Sequence, residues 1–307
     1  MVEPQVACRV SINGIVQGVG FRPFVYQLAL DHRLAGQVAN TATGVIILIE
    51  GPRERLDRFL GDLPRRKPPL AHIVEIDREP LPPRGFTDFS IVPSQPGEQR
   101  FTLISPDVAV CDDCLAEMTD TKDRRFRYPF INCTNCGPRY TIIADVPYDR
   151  PKTAMRHFEL CDHCRREYED PLDRRFHAQP NACPVCGPRV WLRDGEGRKI
   201  EADDPISAAA EGLKQGRILA LKGLGGFHLA VDAENPEAVR RLRERKRREE
   251  KPFALMAADL ERIRRFAAVG AEEQALLESI QRPIVLLPKG TGHTIAPEVA
   301  PGNACFG

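Results

Sequence analysis

The residues that most clearly indicate chemistry are eight of the ten cysteines, which form four C-x-x-C pairs within one stretch of the chain. Two thiolates separated by two residues in a tight turn can both face one tetrahedral Zn²⁺, and two such pairs complete a closed site. Eight cysteines therefore predict two structural zinc ions. The predicted ligands are Cys111, Cys114, Cys133, Cys136, Cys161, Cys164, Cys183 and Cys186.

The cysteine stretch is an internal duplication. Its halves begin at Cys111 and Cys161 and share the sequences DRRF and CGPR at an offset of 50 residues. The simplest assignment is that the two C-x-x-C pairs of each half hold one zinc ion. A nested arrangement, in which the first and last pairs hold one zinc ion and the two middle pairs hold the other, also fits the spacing. A redox role is disfavoured, because thioredoxin-type motifs occur singly before a helix of an α/β unit.

Other charged residues of this stretch have simpler interpretations. Three histidines are expected to be surface residues: His157, His163 and His177. Four arginines are expected on a solvated face with salt bridges, although zinc ribbons often bind nucleic acid and a basic patch is the alternative: Arg124, Arg125, Arg174 and Arg175.

A second candidate site is the segment from Gly14 to Arg22, with the sequence GIVQGVGFR. Its glycines let backbone N–H groups turn inward around an anion, and the helix that follows adds partial positive charge. The guanidinium of Arg22 can hold two oxygens of a phosphate. Asn40 follows in the sequence GQVAN, on a strand that can run beside the loop, where its amide can position a water molecule.

A third candidate site surrounds the glycine turn in LALKGLGGFHL, which carries Lys222 and His228. The turn suits phosphate binding but is not a Walker A loop. A basic helix is predicted over 235–248. Arg247 and Lys251 are four residues apart, which predicts that they share a helical face and converge on a triphosphate. Composition alone favours a solvated basic face.

Composition and charge restrict the class of protein. A chain of 307 residues predicts two or three domains. The 44 basic and 43 acidic side chains nearly cancel, so no global field attracts nucleic acid or membranes. No apolar run is long enough to span a membrane, and the first residues do not form a signal peptide. The predicted compartment is the cytoplasm, where Cys8 and Cys305 are ordinary thiols.

Hydrophobic periodicity predicts α+β architecture in several domains. Residues 1–92 alternate in the order βαββαβ, the split β-α-β arrangement with two helices on one face of an antiparallel sheet. The predicted elements are strand 6–13, helix 22–33, strands 36–41 and 44–50, helix 53–63, and strands near 71–78 and 86–92. After residue 203, α/β alternation is predicted: helix 205–215, strand 217–222, the basic helix, helices near 258–267 and 271–280, and strand 283–288.

The first part of the chain resembles the acylphosphatase family, over residues 5–92, through the loop, the trailing arginine and the sequence GQVAN. The resemblance implies a ferredoxin-like fold in which Arg22 binds the phosphate and Asn40 orients the attacking water, without a metal. The phosphate-binding residues that it implies are Gln17, Gly18, Val19, Gly20, Phe21 and Arg22.

The last part resembles the YrdC-type nucleotide-binding domain, and the order of all three parts resembles the hydrogenase-maturation carbamoyltransferases. The YrdC resemblance implies a nucleotide site with Lys222, His228, Arg247 and Lys251, although Arg245 and Arg248 depart from the pattern of free-standing relatives. The family resemblance implies hydrolysis of carbamoyl phosphate, formation of carbamoyl-adenylate from Mg²⁺-bound ATP, and transfer to a cysteine of the partner protein HypE through a further C-terminal domain.

These resemblances predict an acylphosphatase-like domain (1–92), a linker (93–110), a double zinc-finger module (111–190) and a YrdC-like domain (200–307). The closing residues PEVAPGNACFG show no pattern that closes a helix or strand, which predicts a chain end inside a domain and weak ATP binding. The alternative function is a zinc-scaffolded RNA-binding or chaperone-like module with a non-catalytic anion loop.

Overall fold

The structure, a computed structural model, describes residues 4–94 and 103–307. The chain divides into two compact units, a first unit of Met1–Pro188 and a second unit of Arg189–Gly307. Residues 95–102 of the predicted linker lie outside the described residues. Within the described ranges, no helix is long and apolar enough to cross a membrane.

The first unit begins with a five-stranded sheet in the order β4-β1-β3-β2-β5. Its pairs are antiparallel except for the parallel pair β2–β5. This is the predicted ferredoxin-like order with one short strand added at the edge. The elements are β1 (Gln5–Ile15), α1 (Phe21–Asp31), β2 (Ala35–Asn40), β3 (Val45–Pro52), α2 (Arg53–Arg65), β4 (His72–Leu81) and β5 (Phe89–Ile91).

One hydrophobic core joins the two helices to the sheet. Alternate residues of β1 point inward, and Val10 and Ile12 are completely buried. The helix α2 buries Leu56, Phe59, Leu60 and Leu63, the four residues that its periodicity predicts. Burial of such side chains contributes about 1.5–3 kcal/mol each, so this core holds the ends of β1 and β2 at the edge where the loop lies.

The cysteine region (residues 103–188) completes the first unit with few regular elements. The duplication is visible in the fold, because Cys111 and Cys161 each directly precede a two-turn helix, α3 (Asp112–Thr119) and α4 (Asp162–Glu169). Two short 3₁₀ helices, Arg150–Lys152 and Ala154–His157, lie between the halves. A small core that contains Cys114, Cys133 and Cys136 packs around the first cysteine set.

The second unit consists of small hairpins and helices, consistent with the predicted mixture of helix and strand. Its two-stranded sheets are β6–β7, β8–β9 and β10–β11. Its elements are β6 (Leu192–Arg193), β7 (Lys199–Ile200), α5 (Pro205–Lys214), β8 (Leu219–Lys222), β9 (Phe227–Ala230), α6 (Pro236–Arg245), α7 (Leu260–Arg264), α8 (Ala271–Glu278), β10 (Leu287–Pro288) and β11 (Cys305–Phe306).

Three predictions of secondary structure for the second unit are wrong. The strand predicted over 283–288 is limited to Leu287–Pro288. The basic helix ends at Arg245, three residues early, because Arg247 adopts a left-handed conformation with φ of 49°. The guanidinium of Arg243 donates to the carbonyls of Arg248 and Glu249 and folds this turn back on the helix. The closing residues do contain a strand, since Cys305–Phe306 pairs with Leu287–Pro288.

Candidate functional site

The glycine-rich loop between β1 and α1 forms an open set of backbone donors. Gly18 and Gly20 have φ of 71° and 72°, left-handed conformations that favour glycine. The N–H groups of residues 18–22 donate to no other described residue. They therefore remain available to an anion at the N-terminus of α1, as the sequence predicts.

Arg22 lies in the first turn of α1 and is buried, with its guanidinium next to the loop. Its Nη2 atom lies 3.0 Å from Oδ1 of Asp149, which belongs to the cysteine region. The other carboxylate oxygen of Asp149 accepts a hydrogen bond from Ser94. A guanidinium has five N–H donors, so this ion pair fixes the orientation of Arg22 and leaves donors for a phosphate.

Asn40 ends β2 beside the loop and is 1% exposed. Its Nδ2 donates to the carbonyl of Tyr148 at 3.4 Å. Its Oδ1 is buried and has no hydrogen-bond partner among the described residues. A buried acceptor without a partner is costly in the free protein, and it suits a residue that accepts a hydrogen bond from a bound water.

The side chain of Gln17 is held by hydrogen bonds within the protein. Its Nε2 donates to the carbonyls of Thr41 and Gly44, both at 2.8 Å, and its Oε1 accepts from the N–H of Tyr148 at 2.8 Å. The side chain thus joins the loop to the end of β2 and to the cysteine region. Any contact of Gln17 with a phosphate is left to its backbone.

Arg139 connects the loop to the first cysteine set. Its Nε donates to the carbonyl of Gly18 at 2.8 Å, and its Nη2 donates to the carbonyl of Thr134 at 2.6 Å. The residue is 2% exposed, and its guanidinium is surrounded by carbonyl oxygens. A Cβ at Gly20 would lie 3.3 Å from Thr134, so the glycine also permits the cysteine region to approach the loop.

His177 contributes a ring to the same pocket, and the expectation of a surface histidine is wrong for it. His157 and His163 are exposed, whereas His177 is half-buried and lines the pocket together with Arg22 and Asn40. Burial lowers the pKa of His177 to about 4, with the charge of Arg22 acting in the same direction and Asp149 opposing it. The imidazole is therefore neutral at pH 7.

Each cysteine set has the geometry of a closed zinc site. The four Sγ atoms of each half lie within 4.8 Å of one another, so the cysteines pair within the repeats and the nested alternative is wrong. In the first half, Cys133 Sγ lies 3.7 Å from Cys111 Sγ and 3.8 Å from Cys136 Sγ. The corresponding distances from Cys183 are also 3.7 and 3.8 Å.

These distances test the fit of the metal. A tetrahedron with Zn–S bonds of about 2.3 Å has edges of about 3.8 Å, whereas sulfurs in a disulfide lie about 2.05 Å apart. All ten cysteines are free thiols in the structure. The residues fit Zn²⁺ in two four-thiolate sites, as the sequence predicts.

The arginines of the DRRF sequences form the predicted salt bridges, but they make neither a solvated face nor a basic patch. Arg125 and Arg175 are buried, and each reaches into the opposite half of the duplication. Arg125 Nη2 lies 2.5 Å from Oε2 of Glu167, and Arg175 pairs in the same way with Glu117. The neighbouring arginines donate to thiolates, Arg124 to Cys164 at 3.3 Å and Arg174 to Cys114 at 3.1 Å.

This exchange makes the two halves depend on each other. Burial alone would raise the pKa of Glu167, but hydrogen bonds from Arg125 and Arg124 outweigh it and lower the pKa to about 2. Burial and two arginines act on Glu117 in the same way, and its pKa is also lowered. Both glutamates are therefore ionised, and each arginine pair neutralises charge beside the metal site of the other half.

The predicted nucleotide-binding residues of the second unit lie in two places, on the β8–β9 hairpin and after α6. Lys222 ends β8, and its Nζ lies 5.2 Å from the centre of the Phe227 ring. His228 pairs with Leu221 across the hairpin. Arg247 and Lys251 lie beyond the end of α6, so the prediction that they share one helical face is wrong.

Sequence comparisons match three families to successive parts of the chain. These are Acylphosphatase at residues 8–91, HypF finger at 110–143 and 160–193, and Telomere recombination, the Sua5/YciO/YrdC family, at 211–307. Carbamoyltransferase HypF2 of Cupriavidus necator is 52% identical over 94% of the chain, and a probable carbamoyltransferase HypF of Methanocaldococcus jannaschii is 50% identical over 93%. The chain belongs to the HypF family.

The fold agrees with this assignment. A crystal structure of full-length HypF in the phosphate- and nucleotide-bound form matches all of this chain with a TM-score of 0.94 and 47% identity. The chain spans 36% and 37% of the two curated relatives and 40% of the crystallised one.

Sequence reasoning missed the residues by which the cysteine region enters the site. Arg139, Tyr148, Asp149 and Gln179 all contact the pocket or its loop. Arg139 belongs to the repeated CGPR sequence, which carries no sign of this contact, and the other three belong to no motif. One signal was available for His177, because the duplicated position in the first half is Arg127. Both residues have left-handed backbones, with φ of 54° and 56°, so the two halves share the backbone at this position and differ in the side chain.

Proposed function

We propose that this chain carries the carbamoyl phosphate-hydrolysing part of a hydrogenase-maturation carbamoyltransferase. The observation that carries the proposal is the unpartnered Oδ1 of Asn40 beside Arg22 and a loop of free N–H groups. The acylphosphatase match over the same residues supports it, as does the phosphate bound to the similar crystallised HypF.

The arrangement suits hydrolysis by positioning and charge stabilisation. The loop N–H groups and the guanidinium of Arg22 hold the phosphate oxygens, and Oδ1 of Asn40 accepts a hydrogen bond from the attacking water. Attack at phosphorus breaks the bond to the carbamoyl oxygen and releases carbamate and phosphate. A phosphate oxygen of the substrate accepts the proton of the water, so this step needs no metal.

The second unit is proposed to use the carbamate and ATP to form carbamoyl-adenylate. The family match at residues 211–307 and the nucleotide bound to the similar crystallised HypF support this step. Lys222, His228, Arg247 and Lys251 are the proposed nucleotide-binding residues, with Mg²⁺ as the counterion of ATP. The acceptor that follows is proposed to be a cysteine of HypE.

The zinc ions are proposed to be structural, because four thiolates per ion leave no position open for a substrate. The proposed compartment is the cytoplasm, because the eight cysteines of the two sets must stay reduced to hold zinc. An RNA-binding function is not favoured, because the DRRF arginines that would supply a basic patch hold glutamates and thiolates.

Phosphate release from carbamoyl phosphate by the zinc-loaded chain tests the proposal. Arg22→Ala is expected to abolish binding of inorganic phosphate, because it removes the charge that faces the loop. Asn40→Ala is expected to keep phosphate binding and to lower turnover at least about 100-fold. The exposed Arg53→Ala serves as control for loss of one positive charge.

Two results would contradict the assignment. Turnover by Asn40→Ala at the wild-type rate would remove the role of its side chain in positioning water. Absence of phosphate release by the wild-type chain would remove the proposed hydrolysis itself.

A further inference from the structure

The pocket that contains Arg22 and Asn40 has a second wall that the acylphosphatase fold does not supply. Tyr148, His177 and Gln179 of the cysteine region line it together with the loop. These side chains are the ones that can meet the acyl group of a substrate whose phosphate is held by the loop. The selectivity of the site for its acyl group therefore depends on their chemistry.

Most polar side chains of this wall are already hydrogen-bonded to the protein. Oε1 of Gln179 accepts from the N–H of Arg150 at 2.6 Å and from the hydroxyl of Tyr168 at 3.1 Å. The hydroxyl of Thr134 donates to the carbonyl of Arg174 at 3.1 Å. Oε1 of Gln17 is likewise occupied by the N–H of Tyr148.

His177 differs from them, because among the described residues its ring nitrogens have no hydrogen-bond partner. Its ring is fixed between Phe176 and Tyr168, with centroids 4.6 and 5.0 Å away. The backbone N–H of His177 donates to the carbonyl of Tyr168 at 3.0 Å, and the backbone carbonyl of His177 accepts from Nε2 of Gln179 at 2.8 Å. These contacts hold the backbone in its left-handed conformation and direct the ring at the pocket.

A neutral imidazole has one nitrogen that accepts a hydrogen bond. Since Oδ1 of Asn40 is assigned to the attacking water, His177 supplies a further side-chain acceptor of the pocket, one that makes no hydrogen bond to the described residues. A carbamoyl group carries an amino group that needs such an acceptor, whereas the methyl group of an acetyl phosphate, which has nearly the same size and shape, does not.

We propose that His177 is a specificity-determining residue, which accepts a hydrogen bond from the amino group of carbamoyl phosphate and so distinguishes it from acyl phosphates with a hydrocarbon acyl group. The inference rests on the proposed hydrolysis at this pocket. It assigns the cysteine region a direct part in substrate choice beyond its structural zinc sites.

The test compares kcat/KM for carbamoyl phosphate and acetyl phosphate in the full zinc-loaded chain. The wild type is expected to favour carbamoyl phosphate about 10-fold, the effect of one hydrogen bond. His177→Gly, which tolerates a φ of 54° without strain, is expected to lower kcat/KM for carbamoyl phosphate about 10-fold more than kcat/KM for acetyl phosphate, and so to remove this preference. His177→Asn, which also tolerates the left-handed region and offers an amide oxygen, is expected to retain part of the preference.

Arg127→Gly is the matched control, because it changes the duplicated position with nearly the same backbone conformation, and the preference should stay at the wild-type value. Equal loss of both activities in His177→Gly, an unchanged preference, or a wild type without preference would overturn the inference while the hydrolysis stands. Failure of the wild type to hydrolyse either substrate would instead overturn the proposed function, and this inference with it.

Discussion

Single buried side chains join parts of the site that lie far apart in the sequence. Gln17 forms hydrogen bonds with Thr41, Gly44 and Tyr148, which are separated from it by 24, 27 and 131 positions in the sequence. Arg139 donates to Gly18, at a separation of 121 positions. Buried polar groups of this kind contribute little net stability when satisfied, but they are costly when one partner is removed. The loop geometry therefore depends on side chains whose own chemistry is not catalytic.

Gln17→Ala is expected to lower the free energy of unfolding by about 2–4 kcal/mol, because it leaves the carbonyl of Thr41 and the N–H of Tyr148 without partners. The carbonyl of Gly44 keeps its hydrogen bond from the N–H of Thr41. Urea denaturation of the zinc-loaded chain measures this. Gln27→Ala is the matched control, since Gln27 makes a single hydrogen bond within the described residues, to the carbonyl of Pro171, and its loss should cost about 1 kcal/mol. Equal effects of the two substitutions would show that Gln17 does not have this joining role.

At the scale of elements, the two halves of the duplication exchange their charged side chains. The arginines of each DRRF sequence pair with the glutamate on the helix of the other half. The second arginine also donates to a carbonyl of the other half: Arg125 to Ala182 at 2.9 Å, and Arg175 to Asn132 at 3.0 Å. Each of these carbonyls belongs to the residue directly before the third cysteine of its half. Neither half can keep these contacts alone.

Glu117→Gln is expected to destabilise the first unit by about 2 kcal/mol, because Arg174 and Arg175 lose their charged partner in a partly buried position. Glu167→Gln removes the equivalent partner and should have a similar effect. Thermal unfolding with zinc present measures both, with Glu159→Gln, outside the exchanged contacts, as control. A midpoint unchanged in both variants would contradict the exchange of side chains.

At the scale of the whole molecule, sequence patterns predict the secondary structure and the zinc ligands better than they predict contacts between distant parts of the chain. The zinc ligands follow from local spacing and the helices and strands of residues 1–92 from local periodicity. The order of the sheet and the place of Asn40 beside the loop follow from the βαββαβ pattern and the resemblance to acylphosphatases. The ion pair of Arg22 with Asp149 and the place of His177 do not, since they arise where the cysteine region packs on the loop. The helix end at Arg245 was also missed, because the carbonyl contacts of Arg243 override a continuous run of good helix formers.

The βαββαβ part and the cysteine region together form one phosphate site, and this is the central claim. Removing zinc should unfold residues 105–190 and spare the sheet of residues 1–92, because the metal supplies the folding free energy of small four-thiolate modules. Asp149 and His177 would then leave the pocket, together with the contacts that Arg139 and Tyr148 make to the loop.

Calorimetric titration of inorganic phosphate before and after chelation tests this claim most directly. The chain as purified should contain about two Zn²⁺ and bind phosphate, and Arg22→Ala should not bind it in either state. After chelation, binding should be lost although circular dichroism still shows the sheet, and it should return when zinc is restored. Unchanged phosphate affinity in the chelated chain would contradict the account, because the loop would then form its site without the cysteine region.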